Sequence, residues 1–188
     1  MFGFLYNFQI ILREDLYMKA ELFNGIVGYL EGISNIVSFY GVCYAHSYKF
    51  IRYDNVNDIN ECVEKFLNDS PIKEHRVKID SVWELDDWKN DLFENCCDWF
   101  FRVFSMRNFE VSIEDEYGNT MPAQKNKKSN RVFLGLLNRM EEFFGNDELK
   151  VYKLYLDPAW VDEFAWEQYF FQKGNEFYVL SLFREGLV

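Results

Sequence analysis

Two aromatic-rich runs, Trp166 to Phe171 and Phe177 to Phe183, stand near the end of the chain, separated by Lys173-Gly174-Asn175-Glu176. Aromatic and β-branched runs of this length suit a pleated, buried surface, and a glycine followed by asparagine is the chemistry of a tight hairpin turn. A two-stranded hairpin is not stable alone in water; it needs further strands or a layer of helix packed on it. The remainder of the chain must therefore be organised as cover for this hairpin.

Further strands are readable by alternation. Val77, Ile79 and Val82 predict one, Leu149 to Leu156 another that stops at Asp157-Pro158, and Phe109, Val111 and Ile113 a third that runs into a turn at Tyr117-Gly118-Asn119. Phe4 to Leu12 also reads as a strand. Ile36 to Tyr53, rich in β-branched and aromatic residues, reads as one or two strands turning near Gly41 or His46.

Helices are readable by a spacing of three to four. Leu16, Ala20, Phe23, Val27 and Leu30 mark a first helix, weakened by Gly25 and Gly28. Asn57 or Asp58 can cap a short helix carrying Ile59, Val63, Phe66 and Leu67, and Asp86 or Asp87 a longer one reaching about Phe104. In the latter, Trp88, Leu92, Cys96, Trp99 and Val103 form an apolar stripe that Phe93, Cys97, Phe100 and Phe104 widen. Ser129 or Asn130 can cap a last helix, with Val132, Leu136, Met140 and Phe143 on one face and Gly145 as its stop. The expected fold is α+β: a mainly antiparallel sheet with three to four helices packed on it around an aromatic-rich core. At 188 residues and 20% aromatic content, residues 1–188 read as one domain able to bury roughly 70% of its unfolded surface, with a mobile polar loop at 117–130.

Charge narrows the function. The net charge is -11, concentrated in two regions: Asp54 to Tyr117 holds 17 acids against 7 bases, and Glu141 to Glu167 holds 8 against 2. Between them Gln124 to Met140 carries five bases and no acid. Such acidity disfavours direct nucleic-acid binding and adsorption to anionic membranes, and it suits a cationic partner or plain solubility. Met1 to Leu12 has neither a basic start nor a small-residue cleavage site, and no stretch approaches the roughly 20 apolar residues that cross a bilayer. Cys43, Cys62, Cys96 and Cys97 do not make a disulfide framework, so reduced thiols and a cytoplasmic location are expected.

Catalytic and metal motifs do not emerge. Cys43 with His46 is the nearest approach to a nucleophile and base, but on one strand they face opposite sides. Zinc spacings and a phosphate-binding glycine loop are missing, and Asp54 to Glu61 lacks the glycine and the ligand pattern of a calcium loop. No catalytic residue, metal or cofactor is assigned. What remains are acids in clusters: Asp87, Asp91, Glu94 and Asp98 along one helix, Glu114, Asp115 and Glu116 beside a strand, and Asp162 and Glu163 among Trp160, Trp166 and Tyr169. These can be solvated surfaces. They can also be the contact set of a basic protein, with carboxylates steering association and Trp160 and Trp166 as desolvated anchors, or carboxylates that converge as a metal or catalytic site.

In size, acidity, α+β layout and the hairpin YFFQKGNEFYVLSLF at Tyr169 to Phe183, the sequence resembles small acidic immunity proteins encoded beside bacterial polymorphic or contact-dependent toxins. The resemblance implies a non-enzymatic inhibitor that binds a cognate toxin domain, often a basic nuclease, one to one. Two other readings stay open. One is a small-ligand or enzymatic domain with an aromatic pocket, and the other a homodimeric regulatory module that buries the C-terminal hairpin.

Overall fold

The computed structural model describes residues 2–40, 44–75, 77–105, 113–114, 120–121, 127–145, 148–158, 160–161 and 164–186, with side chains placed at 17–39, 44–75, 77–95, 99–100, 132–145, 148–158 and 164–186. In chain order the elements are α1 (Phe2–Tyr40), β1 (Tyr44–Tyr53), α2 (Ile59–Asp69), a 3-10 turn (Pro71–His75), β2 (Lys78–Glu84) and α3 (Trp88–Ser105). There follow β3 (Ile113–Glu114), β4 (Thr120–Met121), α4 (Lys127–Phe144), β5 (Lys150–Asp157), β6 (Trp160–Val161), β7 (Phe164–Lys173) and β8 (Glu176–Gly186). The main sheet has the order β1-β8-β7-β5-β2, with every pairing antiparallel and β6 added to β7; β3 and β4 pair separately.

The hairpin is the centre of that sheet. β7 and β8 pair from Lys173↔Glu176 to Ala165↔Arg184, closed by Gly174 at a positive φ of 57°. Only glycine takes that conformation at no steric cost. Both strands are buried on both sides. Tyr169, Phe171, Tyr178, Leu180 and Leu182 point into one core with α1, α3 and α4, whereas Phe170, Phe177 and Val179 point into a second core under α2. This double burial explains why the runs are continuously apolar instead of alternating. Aromatic pairs knit each layer. Phe50 stacks on Tyr178 at 5.7 Å and Phe144 on Phe171 at 5.3 Å in the first core, and Phe66 meets Phe170 edge-on at 5.5 Å in the second. The large side chains of the hairpin are thus covered within the chain itself.

The caps follow from local chemistry. Asp58 accepts a hydrogen bond from the Glu61 amide at 2.9 Å, and Asp87 one from the Asn90 amide at 3.2 Å, each satisfying a donor in the first helical turn. Gly145, at a φ of 68°, ends α4. Where α4 crosses α1, a Cβ on Gly135 would lie 2.5 Å from the Tyr29 hydroxyl, which donates to the Val132 carbonyl at 2.7 Å. The missing side chain is what lets these two helices approach.

Three expectations change. Phe4 to Leu12 is helical, because α1 runs unbroken from Phe2 to Tyr40 and takes Ile36 with it, leaving only Tyr44–Tyr53 as strand. A short apolar run does not distinguish strand from helix, and here it extends a helix already nucleated downstream. Helix α4 begins at Lys127, ahead of Ser129 and Asn130. Within 117–130, Thr120–Met121 pairs as β4 and the residues from Lys127 are helical; 117–119 and 122–126 lie outside the described residues. No helix among the described residues is long and apolar enough to cross a membrane.

Candidate functional site

The acids of α3 do not share one fate. Asp87 and Glu94 are exposed, but the helix is rotated so that Asp91 leans over the sheet. There its Oδ2 accepts from Lys153 Nζ at 3.0 Å, from the Tyr169 hydroxyl at 2.7 Å and from Asn95 Nδ2 at 2.9 Å. Glu167 of β7 approaches the same groups: its Oε1 lies 2.9 Å from Lys153 Nζ and 2.7 Å from the Tyr169 hydroxyl, and its Oε2 accepts from Trp99 Nε1 at 2.7 Å. One ammonium and one phenol thus tie two carboxylates together.

Burial by itself would lower the Lys153 pKa, but Glu167 and Asp91 outweigh it and hold the ammonium above its ordinary range. Burial, reinforced by both carboxylates, drives the Tyr169 phenol far upward, so it remains a proton donor. The cluster pins α3 to β5 and β7. Asp91 is consequently engaged within the fold by Lys153, Tyr169 and Asn95, a correction to the reading of a uniform acidic helix face.

Trp166 also serves the fold. Only 7% exposed, it lies in the second core with His75 stacked 5.6 Å away. It is not a surface anchor, because β7 is buried on both faces and leaves none of its large aromatics outside. Trp160 belongs to β6, paired with Ala165, and Glu114 to β3, paired with Thr120, while Asp98 lies within α3; the side chains of all three are outside the described residues. Asp115, Glu116, Asp162 and Glu163 lie outside the described residues altogether. The Cys43 and His46 pair is half outside them too. His46 itself is held neutral, its pKa lowered to about 4 by burial and then by the Arg184 guanidinium.

The surface that sequence reasoning missed is the edge strand β2. Trp83 is 64% exposed, directly across from Lys153 in the register, and meets Tyr155, itself 40% exposed, edge-on at 6.4 Å. Ile79 on the same strand is 45% exposed. In the same segment Asp80, Glu84, Asp86 and Asp87 are all exposed, Glu84 facing the other side of the sheet from Trp83, and the strand is followed closely by the first turn of α3. A bulge at Asp80, between Ile79 and Ser81, shifts the register and alters which side each later residue faces. The bulge is why Ile79 and Val82, three residues apart, face the same side of the sheet while Trp83 faces the other. The available signal was a tryptophan set among acids immediately before a helix cap.

Among the described residues, no group of three or more His, Cys, Asp or Glu side chains is placed to hold a metal. No family model matches the chain, and no curated protein or solved structure matches it either.

Proposed function

We propose that this is a non-enzymatic binding protein for a basic protein domain, and that β2 with the start of α3 forms the contact surface. The observation that carries the reading is Trp83: a large, rigid side chain 64% exposed on an edge strand, in a segment whose exposed acids are Asp80, Glu84, Asp86 and Asp87. Tryptophan is among the commonest binding anchors, and flanking charge steers an oppositely charged partner while contributing less to final affinity. An edge strand adds unpaired backbone donors and acceptors that a partner strand can complete.

The resemblance to toxin immunity proteins supplies the narrower form of the proposal. The partner is then a cognate toxin domain, a basic nuclease among the candidates, which this protein neutralises by one-to-one binding in the cytoplasm. Capture from native lysate on tagged protein at low salt tests both forms. The wild type is expected to retain one basic protein at equimolar yield and release it as salt rises, and Trp83→Ala is expected to retain far less. Equal retention by Trp83→Ala would remove the proposed surface, and a captured partner without toxic activity would remove the narrower form.

A further inference from the structure

On the sheet face opposite α3, β1 borders a cleft of about 440 Å3 between the sheet and α2. Ile51, Phe66 and Phe183 give it apolar walls, and Ser47, Ser181 and Lys49 give it polar ones. At its mouth stand Arg52 and Lys65 with Asp54 and Asp69. The lining thus brings three cations together with two carboxylates, and Glu176 reaches Arg52 from outside it.

The cations are not equivalent. The Arg52 guanidinium pairs with Asp54 at 2.9 Å and reaches Glu176 at 3.7 Å, while Lys65 donates to the Asp54 carbonyl at 2.8 Å and lies 5.9 Å from the centre of the Tyr53 ring. Lys49 has no hydrogen bond or ion pair among the described residues, and it lines the cleft. Register links it to two further polar residues. Lys49 sits across from Ser181, and Ser181 across from Gln168, so the three form one row on one face of β1, β8 and β7. Gln168 is fully buried, and neither its Oε1 nor its Nε2 has a partner among the described residues. A polar row through an apolar face costs stability, and apolar residues there would pack better. Functional sites are where folds carry such costs.

We infer that this cleft binds a small organic anion, with its carboxylate or phosphate group on Lys49 and the Ser47 and Ser181 hydroxyls and its apolar body on Ile51, Phe66 and Phe183. The site lies across the sheet from α3 and needs nothing from the β2 surface. Isothermal titration with two probes tests it: 8-anilinonaphthalene-1-sulfonate, an anion with a flat apolar body, and inorganic phosphate, the anion alone. The aromatic sulfonate is expected to bind one to one and at least tenfold tighter than phosphate. Lys49→Glu, a change at an exposed position, is expected to weaken it tenfold or more, Ser181→Val severalfold, and Trp83→Ala not at all. Absence of binding to the wild type, unchanged affinity in Lys49→Glu, or loss of affinity in Trp83→Ala in place of Lys49→Glu would each overturn the inference.

Discussion

The two outer strands of one sheet meet water on opposite terms. β1 is ten residues long and pairs with β8 in unbroken register from Tyr44↔Gly186 to Tyr53↔Phe177; its charged side chains are Lys49 and Arg52. β2 is seven residues long, is bulged at Asp80, and carries Asp80 and Glu84 with Asp86 and Asp87 just beyond it. Both need protection from pairing with a stray strand, and a bulge and charge are common devices for that. On β2 the devices select as well as protect. Two copies of this edge repel each other through their carboxylates, whereas a basic partner is attracted, and Trp83 offers such a partner an anchor. β1 shows no comparably exposed aromatic, and what it borders is a small cleft instead of an open face.

The contrast depends on the carboxylate cluster that holds β5 and α3 beside Trp83, so removing Lys153 should have the largest effect. Lys153→Met leaves Asp91 and Glu167 sharing a half-buried site without their cation, and it should cost about 3 kcal/mol of stability, near the low end for breaking such a pair because Asp91 keeps some solvent. Urea unfolding measures this. Next, Trp83→Ala should weaken partner binding by about 2 kcal/mol while changing stability by less than roughly 0.5 kcal/mol, since the ring is mostly in solvent. A large loss of stability in that variant would make Trp83 a packing residue and end the contrast between the edges.

How much of this was legible follows from the physics of each element. The hairpin was readable because apolar runs and turn chemistry are local. The caps at Asp58 and Asp87 were readable for the same reason. The start of α1 was not, because a short apolar run acquires its structure from its neighbours. Asp91 could be placed on the polar side of α3, but its inward lean is set by Lys153 and Tyr169, which are distant in sequence and close only in the fold. Trp166 looked like an anchor because its segment is acidic and aromatic; double burial of β7 was not visible from one strand alone. The exposure of Trp83 was not readable, because which strand ends at the edge of the sheet is set by pairing between segments distant in sequence.

Two smaller effects sharpen the comparison. Reversing Asp80, Glu84 and Asp87 together to lysine should slow association with a basic partner about tenfold at low salt, whereas Lys49→Glu on the other edge should leave that rate unchanged; stopped-flow mixing at two ionic strengths reads both. On β1, His46 should give a weak pH signature. Its folded pKa, about 4, lies below the unfolded value of 6.5, so the unfolded chain binds the proton first as pH falls. Stability from this residue is therefore complete above pH 6.5 and is lost as pH drops towards 4. The difference in melting temperature between wild type and His46→Phe across that window isolates it, and a difference independent of pH would contradict the buried, neutral histidine.

The central claim is that β2, and not β1, is the edge a partner meets, and amide hydrogen exchange in the complex with the captured basic protein tests it most directly. Protection gained across Lys78–Glu84 and the first turn of α3, with Tyr44–Tyr53 unchanged from the free protein, is the result this account predicts. Protection gained at β1, with β2 exchanging as it does alone, would contradict it.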